Sequence, residues 1–190
     1  MEIKNFIEEV KNNLDLINEE EIEKIFSLIY NACKNDKTIF IIGNGGSASN
    51  ASHLAQDLSR ITITFDKTAK RIRTLSLTDN ISCITAVGND FGYENIFTAQ
   101  LETFANNGDV LMAISCSGNS PNVINAVNFA HSKNMTVVGF TGFKGGKLKE
   151  LSEIPVHTPL DDFGIVESIH SAIFHYLAIE LRSRYMQNCK

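Results

Sequence analysis

No stretch of this sequence runs for the roughly 18 uncharged apolar residues that a membrane-crossing helix needs, which excludes a helical membrane protein. No secretory leader is expected from the opening residues. Met1-Glu2-Ile3-Lys4-Asn5 carries an acid and opens a helical pattern instead of a charged-then-apolar one. Cys33, Cys83, Cys116 and Cys189 are scattered and form no C-x-x-C pair, so a disulfide-stapled or zinc-ribbon scaffold is excluded. Free thiols in a reducing, cytoplasmic setting are expected. An excess of basic charge is lacking too. With 17 Lys and Arg against 22 Asp and Glu the net charge is −5, which excludes a general nucleic-acid binder. There are no repeats, low-complexity tracts or long linkers, and 190 residues read as one domain, 1–190.

What is present is an ordinary globular composition, 43% apolar and 21% charged, arranged in alternating periods. Ile3, Phe6, Ile7, Val10, Leu14 and Ile17 recur at helical spacing. Asn18 can cap a second helix over Glu19–Lys34. These two are expected to form an N-terminal antiparallel pair within residues 1–35. From 36 to 190, strands at Thr38–Ile42, Ile72–Leu77, Val110–Ser115, Thr136–Phe140 and Ile154–His157 alternate with helices. The helices are read at Ser49–Ser59, Ile81–Val87, Tyr93–Ala105, Asn122–Ser132, Gly146–Leu151 and Ile165–Met186. Arg60 to Lys70 is the one lengthy loop, and Ile61-Thr62-Ile63-Thr64-Phe65 within it could be extended. Short apolar strand runs bounded by Gly, Asn, Asp or Pro mark a parallel sheet covered on both faces. The expected fold is therefore α/β, a three-layer α/β/α sandwich around a five-stranded, doubly wound parallel sheet. The long last helix is apolar on more than one side, and with the first helices it offers surface for subunit packing.

Two strands end in small-polar loops. Gly43-Asn44-Gly45-Gly46-Ser47 follows the first, and Ser115-Cys116-Ser117-Gly118-Asn119-Ser120 follows the third. A strand, a loop of glycines and hydroxyls, and a helix N-terminus together make a phosphate cradle, because the free N–H groups of the first turn face the anion. The negative bulk charge will not draw in an anion, so these local groups must. A nucleotide loop is a poorer match, since the first loop lacks the P-loop lysine and the third glycine of a dinucleotide fingerprint.

Three further clusters bear chemistry. His53 and Asp57, at i and i+4, share a helix face and can ligate a divalent metal or pair a base with its partner; the same spacing also makes surface ion pairs. Glu167, His170 and His175 lie on the last helix, where the two histidines stand about 140° apart, so they cannot both face one site. Gly88-Asn89-Asp90-Phe91-Gly92-Tyr93 reads as a turn or as a polar loop for sugar hydroxyls.

In this order, Gly-Asn-Gly-Gly-Ser, His-x-x-x-acid, Gly-Asn-Asp-Phe-Gly and Ser-x-Ser-Gly-Asn-Ser resemble the sugar isomerase (SIS) domain proteins of the phosphoheptose isomerase type, over essentially the whole chain. The resemblance implies an SIS fold and isomerisation of sedoheptulose 7-phosphate to a heptose 7-phosphate for bacterial surface polysaccharides. It further implies a cytoplasmic homotetramer with sites shared between subunits, and zinc. Ser47, Ser115, Ser117 and Ser120 would hold the phosphate, with Cys116 in the same loop. Asn44, Gly45, Gly46, Asn89 and Asp90 would line the sugar. His53 and His175, joined by Asp57 and Glu167, would hold the metal. Asp57, Glu167 and His175 would carry the proton chemistry, with Glu167 also touching substrate. Some relatives are instead adaptors that bind a phosphosugar or a replication initiator.

The chain departs from that family at three places. Asp57 stands where the family has glutamate, one methylene and so roughly 1.5 Å shorter. A base misplaced by about 1 Å loses about a hundredfold in rate. Glu167 stands where the family usually has glutamine, and Asp161-Asp162-Phe163-Gly164 lacks the arginine common before the last helix. The base would be Glu167 or Asp57, and His175 a ligand or acid.

Overall fold

Five apolar runs pair side by side, all parallel, in the order β2-β1-β3-β4-β5. They are β1 (Thr38–Gly43), β2 (Arg73–Ser76), β3 (Val110–Ser115), β4 (Thr136–Thr141) and β5 (Ile154–His157). The structure, a computed structural model, describes residues 2–61 and 70–188. Arg60 and Ile61, expected to open the long loop, instead finish helix α3 (Gly46–Ile61), while the rest of the possible extended stretch, 62–65, and Cys189 lie outside the described residues.

Alternation along the strands sorts side chains between two cores. Ile39, Ile41, Val110, Met112 and Ile114 point to one face, where α2 (Glu19–Lys34), α3 (Gly46–Ile61) and α8 (Phe163–Asn188) supply Ile25, Phe26, Leu54, Leu58, Ile169 and Leu177. Phe40, Ile42, Leu111 and Ala113 point to the other. There α5 (Thr98–Phe104), α6 (Pro121–Ser132) and α7 (Gly146–Leu151) pack through Leu101, Val123, Val127 and Leu148. The doubly wound three-layer sandwich is as the sequence predicts. Asn18 caps α2 as expected, its side chain accepting from the Glu20 N–H at 2.9 Å.

The differences have local causes. The N-terminal helices are not a self-contained pair: α1 (Ile3–Leu14) packs chiefly on α8, because Phe6, Val10 and Leu14 lean on the core that α8 closes. Helix α4 (Ile81–Phe91) runs past Val87 and absorbs Gly88, Asn89 and Asp90, stopping only at Gly92, whose φ of 91° favours glycine. The continuous helix expected at Tyr93–Ala105 is split into a 3₁₀ turn (Tyr93–Asn95) and α5. The break turns Ile96 and Phe97 into the core, each 1% exposed. Helix α3 begins at Gly46, three residues before the expected start, and α8 is longer than expected at both ends.

The sheet order places the site. The chain leaves β1 toward β2 on one side, then returns to place β3 on the other. A crevice opens outside the strand C-termini where the order reverses. The two small-polar loops follow β1 and β3, which are direct neighbours with Gly43 paired to Ile114. They therefore open into one crevice.

Candidate active site

The first loop ends in α3, whose Gly46 and Ser47 amides have no acceptor within the helix. The second is braced from behind by α7: the Leu148 N–H donates to the Gly118 carbonyl at 2.9 Å and the Lys147 N–H to Asn119 Oδ1 at 3.1 Å. Between the loops lies a cavity of about 110 Å³, lined by Asn44, Ser47, Ser115, Cys116, Ser117, Ser120, Phe163 and Glu167. Ser115 Oγ and Ser120 Oγ are 3.3 Å apart, close enough to bridge one anionic group. Cys116 Sγ sits 3.9 Å from Ser47 Oγ. Burial pushes the Cys116 thiol up from its ordinary range; the Ser47 hydroxyl opposes this and the Glu167 carboxylate adds to it. The thiol is therefore a neutral wall at pH 7, not a nucleophile.

Helices α3 and α8 pack side by side below this cavity. Near its start, Asn50 Nδ2 donates to the Glu167 carbonyl at 3.2 Å. The Glu167 carboxylate lies against the Cα of Gly46, where any Cβ would fall 2.1 Å from Glu167 Oε2 and push that carboxylate aside. Two turns further along, His53, Asp57 and His175 meet. Asp57 Oδ2 is 3.5 Å from His53 Nε2 and 3.8 Å from His175 Nδ1. The two imidazoles pack edge to face, 4.9 Å between centres. One donor atom from each of the three lies within 4.8 Å of the others. The two histidines are about half exposed, at 50% and 52%, so the group is open to a ligand. Asp57 and His175 also face a cavity of about 270 Å³ shared with Arg60 and Arg182.

Not every expected ligand joins this group. Glu167 stands apart from it, because eight residues on one helix rise about 12 Å. Its carboxylate goes to Gly46 and the cavity between the loops instead. His170 turns away from His175 and is wholly buried, as the angle between them requires. Asn89 and Asp90 are exposed on the last turn of α4, hydrogen-bonded to each other at 2.7 Å, and do not line the loop cavity. Their motif contributes through Tyr93, whose hydroxyl donates to Asn44 Oδ1 at 3.1 Å. Asn122 is a further polar residue at the site, 1% exposed and paired with Asn44. Ser120-Pro121 marks the start of α6 in the sequence, but nothing there gives Asn122 its partner. At the start of α8, Asp162 Oδ1 accepts from the Ile165 N–H at 3.0 Å, which caps the helix where the family's arginine is missing.

Known proteins resemble this chain in sequence and fold. Residues 4–142 match the SIS domain family. A phosphoheptose isomerase of Sulfurimonas denitrificans is 38% identical over 176 residues, 93% of this chain and 86% of that one. Another, from Geotalea daltonii, is 36% identical over 186 residues, 96% of this chain and 95% of that one. Among solved structures, a phosphoheptose isomerase from Neisseria gonorrhoeae superimposes with a TM-score of 0.85 at 31% identity, covering 95% of this chain and 96% of that one.

Proposed function

This chain belongs to the SIS domain family, and on that premise we propose that it is a phosphosugar isomerase of the phosphoheptose type. It interconverts sedoheptulose 7-phosphate and a heptose 7-phosphate through an enediolate. One observation carries the reading: a phosphate cradle and a His/Asp/His group lie two helix turns apart along the paired α3 and α8. An adaptor that only binds has no use for such a group, so that alternative is not favoured. The whole of 1–190 is read as one SIS domain.

The phosphoryl group sits among Ser47, Ser115, Ser117 and Ser120 and the first-turn amides of α3, and this remote grip fixes the reacting carbons. At the other end, Asp57 takes the proton from C1 or C2 and returns it to the neighbouring carbon. His175, in reach of the same carboxylate, serves the oxygens as acid and base. Asp57 is favoured over Glu167 as base because it touches both imidazoles, whereas Glu167 lies beside the phosphate cradle. Two imidazoles and one carboxylate on converging atoms fit zinc, so His53, Asp57 and His175 would hold it. Bound there, zinc supplies Lewis-acid polarisation of the sugar carbonyl.

The described residues contain no helix long and apolar enough to cross a membrane. Ile3 and Ile7 on α1, Ile81 and Phe91 on α4, and Tyr176 and Ile179 on α8 are exposed, which supports a homotetramer that covers these faces.

Turnover of sedoheptulose 7-phosphate by the purified protein tests this reading. Asp57→Asn is expected to cut kcat by about a hundredfold or more, and Glu167→Gln by far less. A wild-type rate in Asp57→Asn would remove the base assignment, and no turnover by the unmodified protein would remove the reading itself. Metal content of the purified protein, measured with and without His53→Ala, tests the zinc assignment separately.

A further inference from the structure

Asn44, the one amide side chain in the first loop, lines the phosphate cavity. Its orientation can be worked out from a single backbone group. The Val123 N–H is shared between the Ser120 carbonyl at 3.0 Å and, at 2.9 Å, one end of the Asn122 carboxamide. A backbone N–H can only donate, so that end is Oδ1. The Nδ2 of Asn122 then donates to Asn44 Oδ1 at 2.9 Å, and Asn44 Nδ2 returns a bond to Asn122 Oδ1, also 2.9 Å. A second donor reaches Asn44 Oδ1 from the far side, the Tyr93 hydroxyl at 3.1 Å. The 3₁₀ turn that carries Tyr93 is itself tied to α6, with Asn125 Nδ2 donating to the Glu94 carbonyl at 3.2 Å.

Both lone-pair sites of the Asn44 carbonyl are therefore occupied. Its amide nitrogen has one N–H spent on Asn122 and one left. We infer that Asn122 and Tyr93 are positioning residues that hold Asn44 as a hydrogen-bond donor toward an oxygen of the bound phosphosugar. A free carboxamide can rotate half a turn and present its carbonyl, which would repel a phosphoryl oxygen. The clamp removes that orientation before the ligand arrives. Asn122 is too deeply buried to touch the ligand, and it acts only through Asn44.

This inference rests on the proposed isomerase reading, and the test separates the two. Tyr93→Phe removes one donor at an exposed position and leaves the fold intact. Asn122→Leu keeps the volume and adds no charge beside the phosphate but deletes the donor to Asn44, and the Val123 N–H keeps its bond to the Ser120 carbonyl at 3.0 Å. Losing one bond's worth of aim at a charged ligand raises KM by about tenfold for Asn122→Leu and by about threefold for Tyr93→Phe, with kcat changed less than KM. In an Asn44→Ala background neither substitution raises KM further, because the residue they position is gone. Equal effects with and without Asn44, or an unchanged KM in both single variants, overturn the inference. If the unmodified protein binds inorganic phosphate but does not isomerise the sugar, the isomerase reading fails alone, and the same cycle is read on the phosphate Kd. If it binds neither, both fail.

Discussion

His170 lies wholly buried on α8, between Glu167 and His175, against the rings of Phe140 and Phe174. Neither ring nitrogen has a hydrogen-bond partner. Burial pushes its pKa from 6.5 down to about 4; an approach to the Thr141 main chain, too poor to be a hydrogen bond, offsets this only in part. The sign of the consequence follows from proton counting. Between about pH 6.5 and 4 the unfolded chain takes up a proton here that the native protein refuses, so stability falls as pH falls through that window. Above pH 6.5 nothing is lost, and below about 4 the native state also protonates. The total is on the order of 3 kcal/mol. Urea unfolding at pH 7.5 and pH 4.5 is expected to show a larger loss for the native sequence than for His170→Leu, and parallel losses would show that this ring does not set the slope. That one of the two histidines is structural was legible from helix geometry alone. Which one was not, because that depends on which side of α8 meets the sheet.

At the scale of elements, the two loops work because β1 and β3 are adjacent, and the chain order alone does not say so. Short apolar runs and the small-polar residues after them make each strand end readable. The crevice appears only once β2 is placed on the far side of β1. The same holds for the metal group. The spacing of His53 and Asp57 puts them on one helix face but suits a surface ion pair equally, and His175 joins them only because α3 and α8 lie side by side, a pairing that also carries Glu167 to the loop cavity and away from this group. The bonds of Asn44 to Tyr93 and Asn122 span 49 and 78 residues of sequence, beyond the reach of any local pattern. What the loops contribute together can be measured through Ser117, half-buried in the second loop and a wall of the cavity. Ser117→Ala is expected to weaken phosphosugar binding by about tenfold, the worth of one bond to a charged group, with the melting temperature unchanged. Titration calorimetry reads the first and thermal unfolding the second. An unaltered dissociation constant would mean that the phosphate lies elsewhere.

Over the whole molecule, the two faces of the sheet are covered unequally. Helices α2, α3 and α8 bury large side chains against one face, whereas α4 on the other side buries none, although Ile81, Ile84, Val87 and Phe91 are apolar. Ile84 and Val87 lean on the core, while Ile81 and Phe91 remain 72% and 70% exposed. A helix of this composition buries little apolar surface in its own domain, and a second surface laid on it would add stability. The His53 and His175 rings are half exposed in the single chain, and α8 also carries the exposed Tyr176 and Ile179. A second copy covering α4 or the outer side of α8 would therefore stabilise helices and narrow the site at once. Ile81→Glu combined with Phe91→Glu places two charges on α4 without touching any core residue. Sedimentation velocity is expected to show the native sequence as an oligomer and the double variant as a smaller species. Turnover should fall further than thermal stability of the isolated fold explains, because the site loses its cover. If the double variant sediments like the native protein, α4 faces solvent in the assembly, and the apolar faces of α1 and α8 must carry the contacts instead.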